Sequence, residues 1–454
     1  MRFVRRGAIA FAALLFSGLV ACTPPARRDE VAARIGALES PDIVFIVIDA
    51  QRADWTPPYG GDPDLMPELA DWAEHGIVFE HTLAQSSWTK ISMASVMTSL
   101  WPRTHGITEP GDGLAGGAVT LAEQFQAAGY QTFGVQTNGW LHQSFGFQQG
   151  FDQYLFPLGG TNPHFGKAAL WPNADRVVEE ASHMIAARDP ERPLFLYLHF
   201  MDVHEYASPP EFKTFGTDSA GAYRAAMRWV DDGLARVREA LEDAGTLDRT
   251  VLVLAADHGE AFGENGIHGH ARNVLTPVLR VPLVVRFPFA TEPIRVETQV
   301  RNIDIAPTLL GIAVLDIPEA FEGASLLPLV TESSPAEDRP VFATLGFPLF
   351  PDASVQRSFT DGAWTYARNL EAREDEPGSA LRHGVAPGKT FLFDRSVDPG
   401  ENVNLVAREP ARAKRMRERI DAHWAAGAHR EAKEEGVRID PSIAERLRAM
   451  GYLR

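Results

Sequence analysis

Side chains far apart in this chain could work together as a hydroxyl nucleophile beside a divalent cation. Thr89 opens the segment Trp88-Thr89-Lys90-Ile91-Ser92-Met93-Ala94-Ser95, Asp49 closes an apolar run that starts at Asp42, and Asp257-His258 closes another. One carboxylate at a strand end offers hard oxygen donors, and a carboxylate with an imidazole at a second strand end completes a ligand set for a metal. Each residue alone is ordinary, because an Asp in that position commonly caps a turn or helix. The chain holds a single cysteine, Cys22, near its start. That count excludes an intrachain disulfide framework and a Cys-rich zinc site, and it removes thiol chemistry from the candidate nucleophiles.

The elements that must position these residues read as alternating strands and helices. Asp42-Ile43-Val44-Phe45-Ile46-Val47-Ile48 is β-branched and apolar throughout, the pattern of a strand buried on both faces of a parallel sheet. Similar runs occupy residues 132–135, 194–199, 251–256 and 282–286, and amphipathic helical stretches occupy 67–74, 121–128, 174–187 and 220–244. The alternation predicts an α/β fold with a mostly parallel central sheet sandwiched by helices, catalytic over 41–330. Ligands of such sheets gather at strand carboxyl ends, where Asp49, Asp257 and His258 fall. Around residue 330 the texture changes, and 331–454 is expected to form a small C-terminal α+β subdomain. Its strand-like pieces lie at 358–367 and 390–393, and a charged helix covers roughly 410–435.

The chain has 454 residues, 45% of them hydrophobic, enough for a large core. Its formal charge of −17 argues against nucleic acid as a partner, since phosphate binding requires a basic face. Residues 1–22 follow the secretory pattern of a basic start, an apolar run and small residues before a cut. Leu19-Val20-Ala21-Cys22 resembles the lipobox of bacterial lipoproteins, which makes Cys22 a lipid anchor to a membrane and residues 23–40 a tether. Thr23 supplies no retention aspartate after Cys22, so the expected location is the cell envelope, periplasm-facing, at the outer membrane rather than the inner.

From about Pro41 to Arg454 the sequence resembles the sulfatase family of the alkaline phosphatase superfamily. Asp49-Ala50-Gln51-Arg52 is similar to its first metal motif, and Trp88-Thr89 through Pro102-Arg103-Thr104-His105-Gly106 to its nucleophile helix and following turn. Gly146 to Asp152, His199-Phe200-Met201-Asp202-Val203-His204, Asp257-His258-Gly259-Glu260, Arg280-Val281-Pro282, Asp304 to Leu310 and Asp398-Pro399-Gly400-Glu401-Asn402 follow in family order. The resemblance implies that Asp49, Asp257 and His258 hold one divalent ion (Mn, Zn, Ca or Mg) and that Thr89 presents its oxygen to it. It implies that His204 and His270 act on the ester, with His268, Lys90 and Arg272 as further substrate-binding groups. His199 reads as a satisfied strand histidine, and His105 as a residue that orders its turn.

The chain departs from that family where the chemistry is decided. Sulfatases that cleave sulfate esters use formylglycine made from Cys or Ser in a C/S-x-P-x-R context, whereas here Thr89, Ile91 and Met93 stand at those positions. No formylglycine is therefore expected. Ala50 also replaces the second aspartate of the usual pair, which favours manganese or zinc over calcium. Threonine at this position is similar to what phosphodiesterases and phospho-headgroup transferases of the superfamily use. The expectation is a hydrolase of anionic esters, phosphate favoured over sulfate. The alternatives are a headgroup transferase acting on envelope acceptors and an inactive binding relative.

Overall fold

A computed structural model describes residues 25–157, 174–289, 291–331, 337–347, 349–350, 353–372, 388–427, 433–434, 436–439, 441, 444–445 and 448. Cys22 and the lipobox lie outside the described residues. The strands of the main sheet are β1 (Asp42–Ile48), β2 (Ile77–Phe79), β3 (Gln131–Gln136), β4 (Gln153–Leu155), β5 (Leu194–Phe200), β6 (Thr250–Ala255), β7 (Leu283–Arg286) and β8 (Ile294–Val296). Across the sheet they run β8-β2-β7-β6-β1-β5-β3-β4. The β6-β1-β5-β3-β4 stretch is parallel, and only β7 runs antiparallel to its neighbours.

β1 is buried at every position because both faces of the sheet are covered. Side chains alternate across a strand, so Ile43, Phe45 and Val47 enter one core layer and Val44, Ile46 and Ile48 the other. Helices α3 (Thr89–Thr98), α4 (Leu121–Ala127) and α7 (Ile305–Ile312) contribute to the first layer, while α2 (Pro67–Glu74), α5 (Ala174–Ala187) and α6 (Ser219–Asp243) build the second. The expected sandwich is thus present. Among the described residues no helix is long and apolar enough to cross a membrane.

A second sheet is antiparallel and consists of β9 (Val341–Leu345), β10 (Ser354–Asp361), β11 (Trp364–Ala372) and β12 (Thr390–Asp394), covered by α9 (Pro410–Ala425). The sequence reading merged β10 and β11 into one piece; Gly362, at φ +54, turns the chain between them. It also extended the charged helix too far, since α9 stops at Ala425 and Lys433–Glu434 pairs as a strand with Gly113–Leu114. The segment expected to be a tether is helical over α1 (Pro25–Gly36). Val31 and Ile35, four residues apart, share a face and bury it against α8 (Leu327–Thr331).

Candidate active site

The strand ends converge as the parallel topology requires. Asp49 follows β1, donates its amide to Phe200 O at 2.9 Å, and is followed by a sharp bend at Ala50, φ +60. The bend aims the Ala50 N–H at Asp257 Oδ1, 3.1 Å away, and the same oxygen accepts from His258 N at 2.8 Å. Asp257 is thereby held by one oxygen, while its Oδ2 and Asp49 Oδ1 are buried with no hydrogen-bond partner.

Thr89 is the first residue of α3, behind the extended Trp88. This helix has no polar face because it is buried throughout. Its hydroxyls are satisfied inside the protein: Ser92 Oγ donates to Asp257 O at 2.6 Å, which fastens the helix to the end of β6, and Thr98 Oγ1 donates to Ala94 O. Thr89 Oγ1 then lies 3.3 Å from Asp49 Oδ2 and 3.3 Å from His258 Nε2. The His258 Nδ1–H donates to Gly259 O at 2.9 Å, which leaves the Nε2 lone pair directed at the carboxylates, 3.4 Å from Asp257 Oδ2 and 3.6 Å from Asp49 Oδ1.

Two unpartnered carboxylate oxygens and one imidazole lone pair facing each other below the protein surface form a donor set that fits a divalent cation. Ligand atoms of Asp49, His199 and Asp257 also lie within 4.8 Å of one another. His258 is nevertheless the better imidazole ligand. The His199 Nδ1 accepts from the Tyr197 hydroxyl at 2.7 Å, so its Nε2–H is committed to Asp49 Oδ2 at 3.0 Å. Burial raises the Tyr197 pKa, which keeps that hydroxyl protonated. His199 therefore orients Asp49. It is satisfied, as the sequence suggested, but its partner is a site carboxylate.

Asn138 escaped sequence reasoning. Its Nδ2 donates to Asp49 Oδ2 at 2.6 Å and approaches Thr89 Oγ1 at 3.3 Å, while Oδ1 accepts from Trp140 N at 2.8 Å and so fixes the amide's orientation. The available signal was its place two residues past β3, on the strand edge that carries Asp49 and Asp257. Burial opposes ionisation of Asp49, yet His204, His199 and His258 together hold its pKa well below the usual range.

Beside this cluster the His258 imidazole stacks on His270 with ring centres 4.6 Å apart, and His204 packs tilted against His270 at 4.5 Å. His270 Nδ1 faces Glu260 Oε2 at 3.1 Å, and His204 Nδ1 faces Glu205 Oε1 at 2.9 Å. Burial lowers the His204 pKa, but Asp49, Glu205 and Glu260 outweigh it and raise it to about 9. For His270, burial with His204 and His258 outweighs Glu260 and the pKa falls. One ring is thus biased towards the cation and its neighbour towards the neutral form. Glu260, the last residue of Asp257-His258-Gly259-Glu260, is 1% exposed and aligns His270.

The remaining candidates have other surroundings. Lys90 is buried, donates to Pro110 O at 2.7 Å and lies 3.5 Å over the Phe145 ring. Burial pulls its pKa well down despite Asp112. Arg272 donates to His270 O at 3.1 Å and covers Phe350, and His268 is exposed in a bridge to Phe262. His105 accepts from Ile107 N at 3.1 Å and contacts Ser95, which fixes its turn.

With this geometry in view, relatives can be weighed. A curated ulvan-active sulfatase of Formosa agariphila is 24% identical over 81% of this chain and 77% of its own length. An arylsulfatase of Clostridium perfringens is 24% identical over 84% and 92%. The solved phosphonate monoester hydrolase of Agrobacterium radiobacter superposes with a TM-score of 0.69 at 17% identity, covering 88% of this chain and all, 100%, of that one. The family model described as Sulfatase matches residues 41–315, and the chain belongs to the sulfatase family.

Proposed function

We propose that this sulfatase-family hydrolase cleaves phosphoesters with Thr89 as its nucleophile. The observation that carries this is Thr89 Oγ1 at 3.3 Å from both Asp49 Oδ2 and His258 Nε2 at the start of α3. The helix start adds backbone N–H groups and a positive dipole end facing an anion. A threonine keeps its methyl group on Cβ, so the formylglycine aldehyde is not available to it. Asp49, Asp257 and His258 would hold a divalent ion, manganese or zinc before calcium, which when bound would act as a Lewis acid, lowering the hydroxyl pKa and offsetting the ester's charge.

The chain's own groups do the rest. Thr89 Oγ1, oriented by its contact with Asp49 Oδ2, loses its proton to water as it bonds to phosphorus, and the ester P–O bond breaks. His204, cationic at neutral pH, faces the charged oxygens and gives its proton to the departing alkoxide, while His270, aligned by Glu260 and biased towards the neutral form, is the base for the water of the second step. Water then attacks phosphorus in the phosphothreonine as His270 takes one of its protons, the Oγ1–P bond breaks, inorganic phosphate leaves, and Thr89 Oγ1 regains a proton. A sulfated threonine lacks the hydrate-assisted release that formylglycine permits, which is the reason for preferring phosphorus.

The test is turnover of p-nitrophenyl phosphate, bis-p-nitrophenyl phosphate and p-nitrophenyl sulfate by protein lacking residues 1–22, beside Thr89→Ala. Loss of about a thousandfold or more in kcat is expected for the variant, with a phosphate adduct on Thr89 in quenched wild type by mass spectrometry. Equal turnover by the two proteins would end the nucleophile assignment. The sulfatase relatives favour a second reading, sulfate ester hydrolysis, and robust aryl-sulfate turnover by the wild type alone would establish it. Attachment to the envelope through a lipid on Cys22 belongs to the same proposal, and acyl labelling that persists in Cys22→Ala would refute it.

A further inference from the structure

Ala50 has no side-chain donor for an ion, yet its backbone belongs to the site. At φ +60 it lies in the left-handed region, which is unfavourable for a residue with a Cβ, so the bend has to be held from outside. That bend aims the Ala50 N–H at Asp257 Oδ1, 3.1 Å away. With His258 N on the same oxygen at 2.8 Å, Asp257 is fixed by Oδ1, and its Oδ2 is left buried and unpartnered near His258 Nε2.

The hold comes from α6. Tyr223 is fully buried there, and its hydroxyl donates to Ala50 O at 2.7 Å and accepts from Arg52 N at 2.9 Å. A backbone N–H only donates and a carbonyl only accepts, so both bonds have fixed directions and the single phenol proton goes to Ala50. The hydroxyl thus joins the carbonyl of the first residue of the turn 50–52 to the N–H of the third. Three rings meet the phenol edge-on and keep it in place: Phe262 at 5.0 Å, Trp55 at 5.2 Å and Tyr206 at 5.6 Å between ring centres. Farther along the turn, Thr56 Oγ1 donates to Arg52 O at 2.6 Å and accepts from Gln51 Nε2 at 2.7 Å. Those contacts stiffen residues 51–56 but do not reach Ala50 O, which Tyr223 takes. Because its proton and its accepted bond both go to the backbone, the hydroxyl acts on the site through the turn.

We propose that Tyr223 is a positioning residue of the ion site: its hydroxyl keeps Ala50 in the left-handed bend, and the bend keeps Asp257 turned with Oδ2 towards His258. The inference rests on the reading that Asp49, Asp257 and His258 hold a divalent ion, and it adds a residue that acts on them through the backbone. Without the hydroxyl, Ala50 relaxes towards negative φ, its N–H leaves Oδ1, and the ion has to order a carboxylate that the wild type already holds.

Calorimetric titration of metal-free protein with Mn²⁺ alone, and separately with Zn²⁺ alone, tests this. Tyr223→Phe keeps the ring among its neighbours and is expected to bind the ion about tenfold more weakly than wild type, the usual effect of removing a partner of a ligating group. Tyr59→Phe is the control. The Tyr59 hydroxyl makes the same kind of bridge, donating to Leu283 O at 3.0 Å and accepting from Leu283 N at 2.6 Å, but on β7. Both variants should lower Tm, and only Tyr223→Phe should weaken ion binding. Should Tyr223→Phe fail to fold, Tyr223→4-aminophenylalanine takes its place. That variant keeps a donor for Ala50 O, loses a good acceptor for Arg52 N–H, and is also expected to bind the ion more weakly than wild type.

Affinity equal to wild type in the Tyr223 variant overturns the positioning assignment and leaves the ligand set standing. Equal weakening by Tyr59→Phe overturns it too, because any lost buried hydroxyl would then have the same effect. A wild type that binds neither ion removes the ligand set and the assignment together.

Discussion

At the residue scale the arrangement turns on Asp49, whose two oxygens have separate duties. Oδ2 collects Asn138 Nδ2 at 2.6 Å and His199 Nε2 at 3.0 Å, while Oδ1 is left unpartnered towards Asp257 and His258. Losing one of the donors frees the carboxylate to rotate and takes away a hydrogen bond to Thr89 Oγ1. Asn138→Ala is therefore expected to lower kcat by about 10- to 100-fold, the usual effect of removing a partner of a ligating group, with a smaller change in KM. Steady-state kinetics on the substrate that the wild type prefers measures both. Asn138→Asp should be worse than Ala, because it sets a second carboxylate against Asp49 in place of a donor. If the Asp variant outperforms Ala, the amide is not acting as a donor to Asp49.

At the element scale two contacts make sharp demands on the sequence. Gly259 follows His258 and packs so tightly that an added Cβ would sit 2.4 Å from Pro277 O. Since Gly259 O also holds the His258 Nδ1–H, Gly259→Ala should shift that imidazole and lower metal content measured by elemental analysis, with full occupancy in the variant counting against the proposed ligand set. In α9, His423 stacks on Phe342 at 3.7 Å, and burial with Arg103 and Arg357 lowers its pKa to about 3. Below an unfolded value near 6.5 the unfolded chain takes up a proton that the folded ring refuses, so this contribution is complete above about pH 6.5 and is lost as pH falls towards 3. His423→Phe keeps the stack and should remove roughly 1 kcal/mol of the acid sensitivity, after allowance for the ring's partial exposure, in urea melts at pH 7.5 and 5. An unchanged pH slope would show that the ring is not the sensor. Elements of this kind were unevenly legible in the sequence. The strands announced themselves because a run apolar at every position has one stable environment. The end of α9 did not, because a charged amphipathic pattern continued past Ala425 while the chain turned to pair Lys433–Glu434 with Gly113–Leu114, a contact of long separation. Asp49, Thr89, Asp257 and His258 could be found from strand ends and motif order. Asn138 and the true partner of His199 could not, since their meaning depends on β3 and β5 lying beside β1.

At the scale of the whole molecule, β1 and β6 are neighbours at the centre of the sheet, and each ends in a buried carboxylate aimed at the other. Hydrophobic layers on both faces force that approach: β1 cannot slide without moving Phe45 or Ile46 out of its core. The fold thus sets two like charges together in a medium where each is costly unless paired. A divalent ion at Asp49, Asp257 and His258 would relieve the repulsion in the folded state alone, so ion binding should appear as stability of the entire domain. At a free ion concentration one hundred times its dissociation constant the gain is about 2.7 kcal/mol. Chelation is then expected to lower Tm by several degrees in differential scanning calorimetry, and manganese or zinc should restore it. Asp257→Asn removes one of the opposed charges along with a ligand. Its Tm should be insensitive to chelator and should not fall below that of chelated wild type, whereas Thr89→Ala, which leaves both carboxylates and His258 in place, should keep most of the response. If chelator shifts the Asp257→Asn variant as much as the wild type, the stabilising ion sits elsewhere, and the paired carboxylates need another explanation.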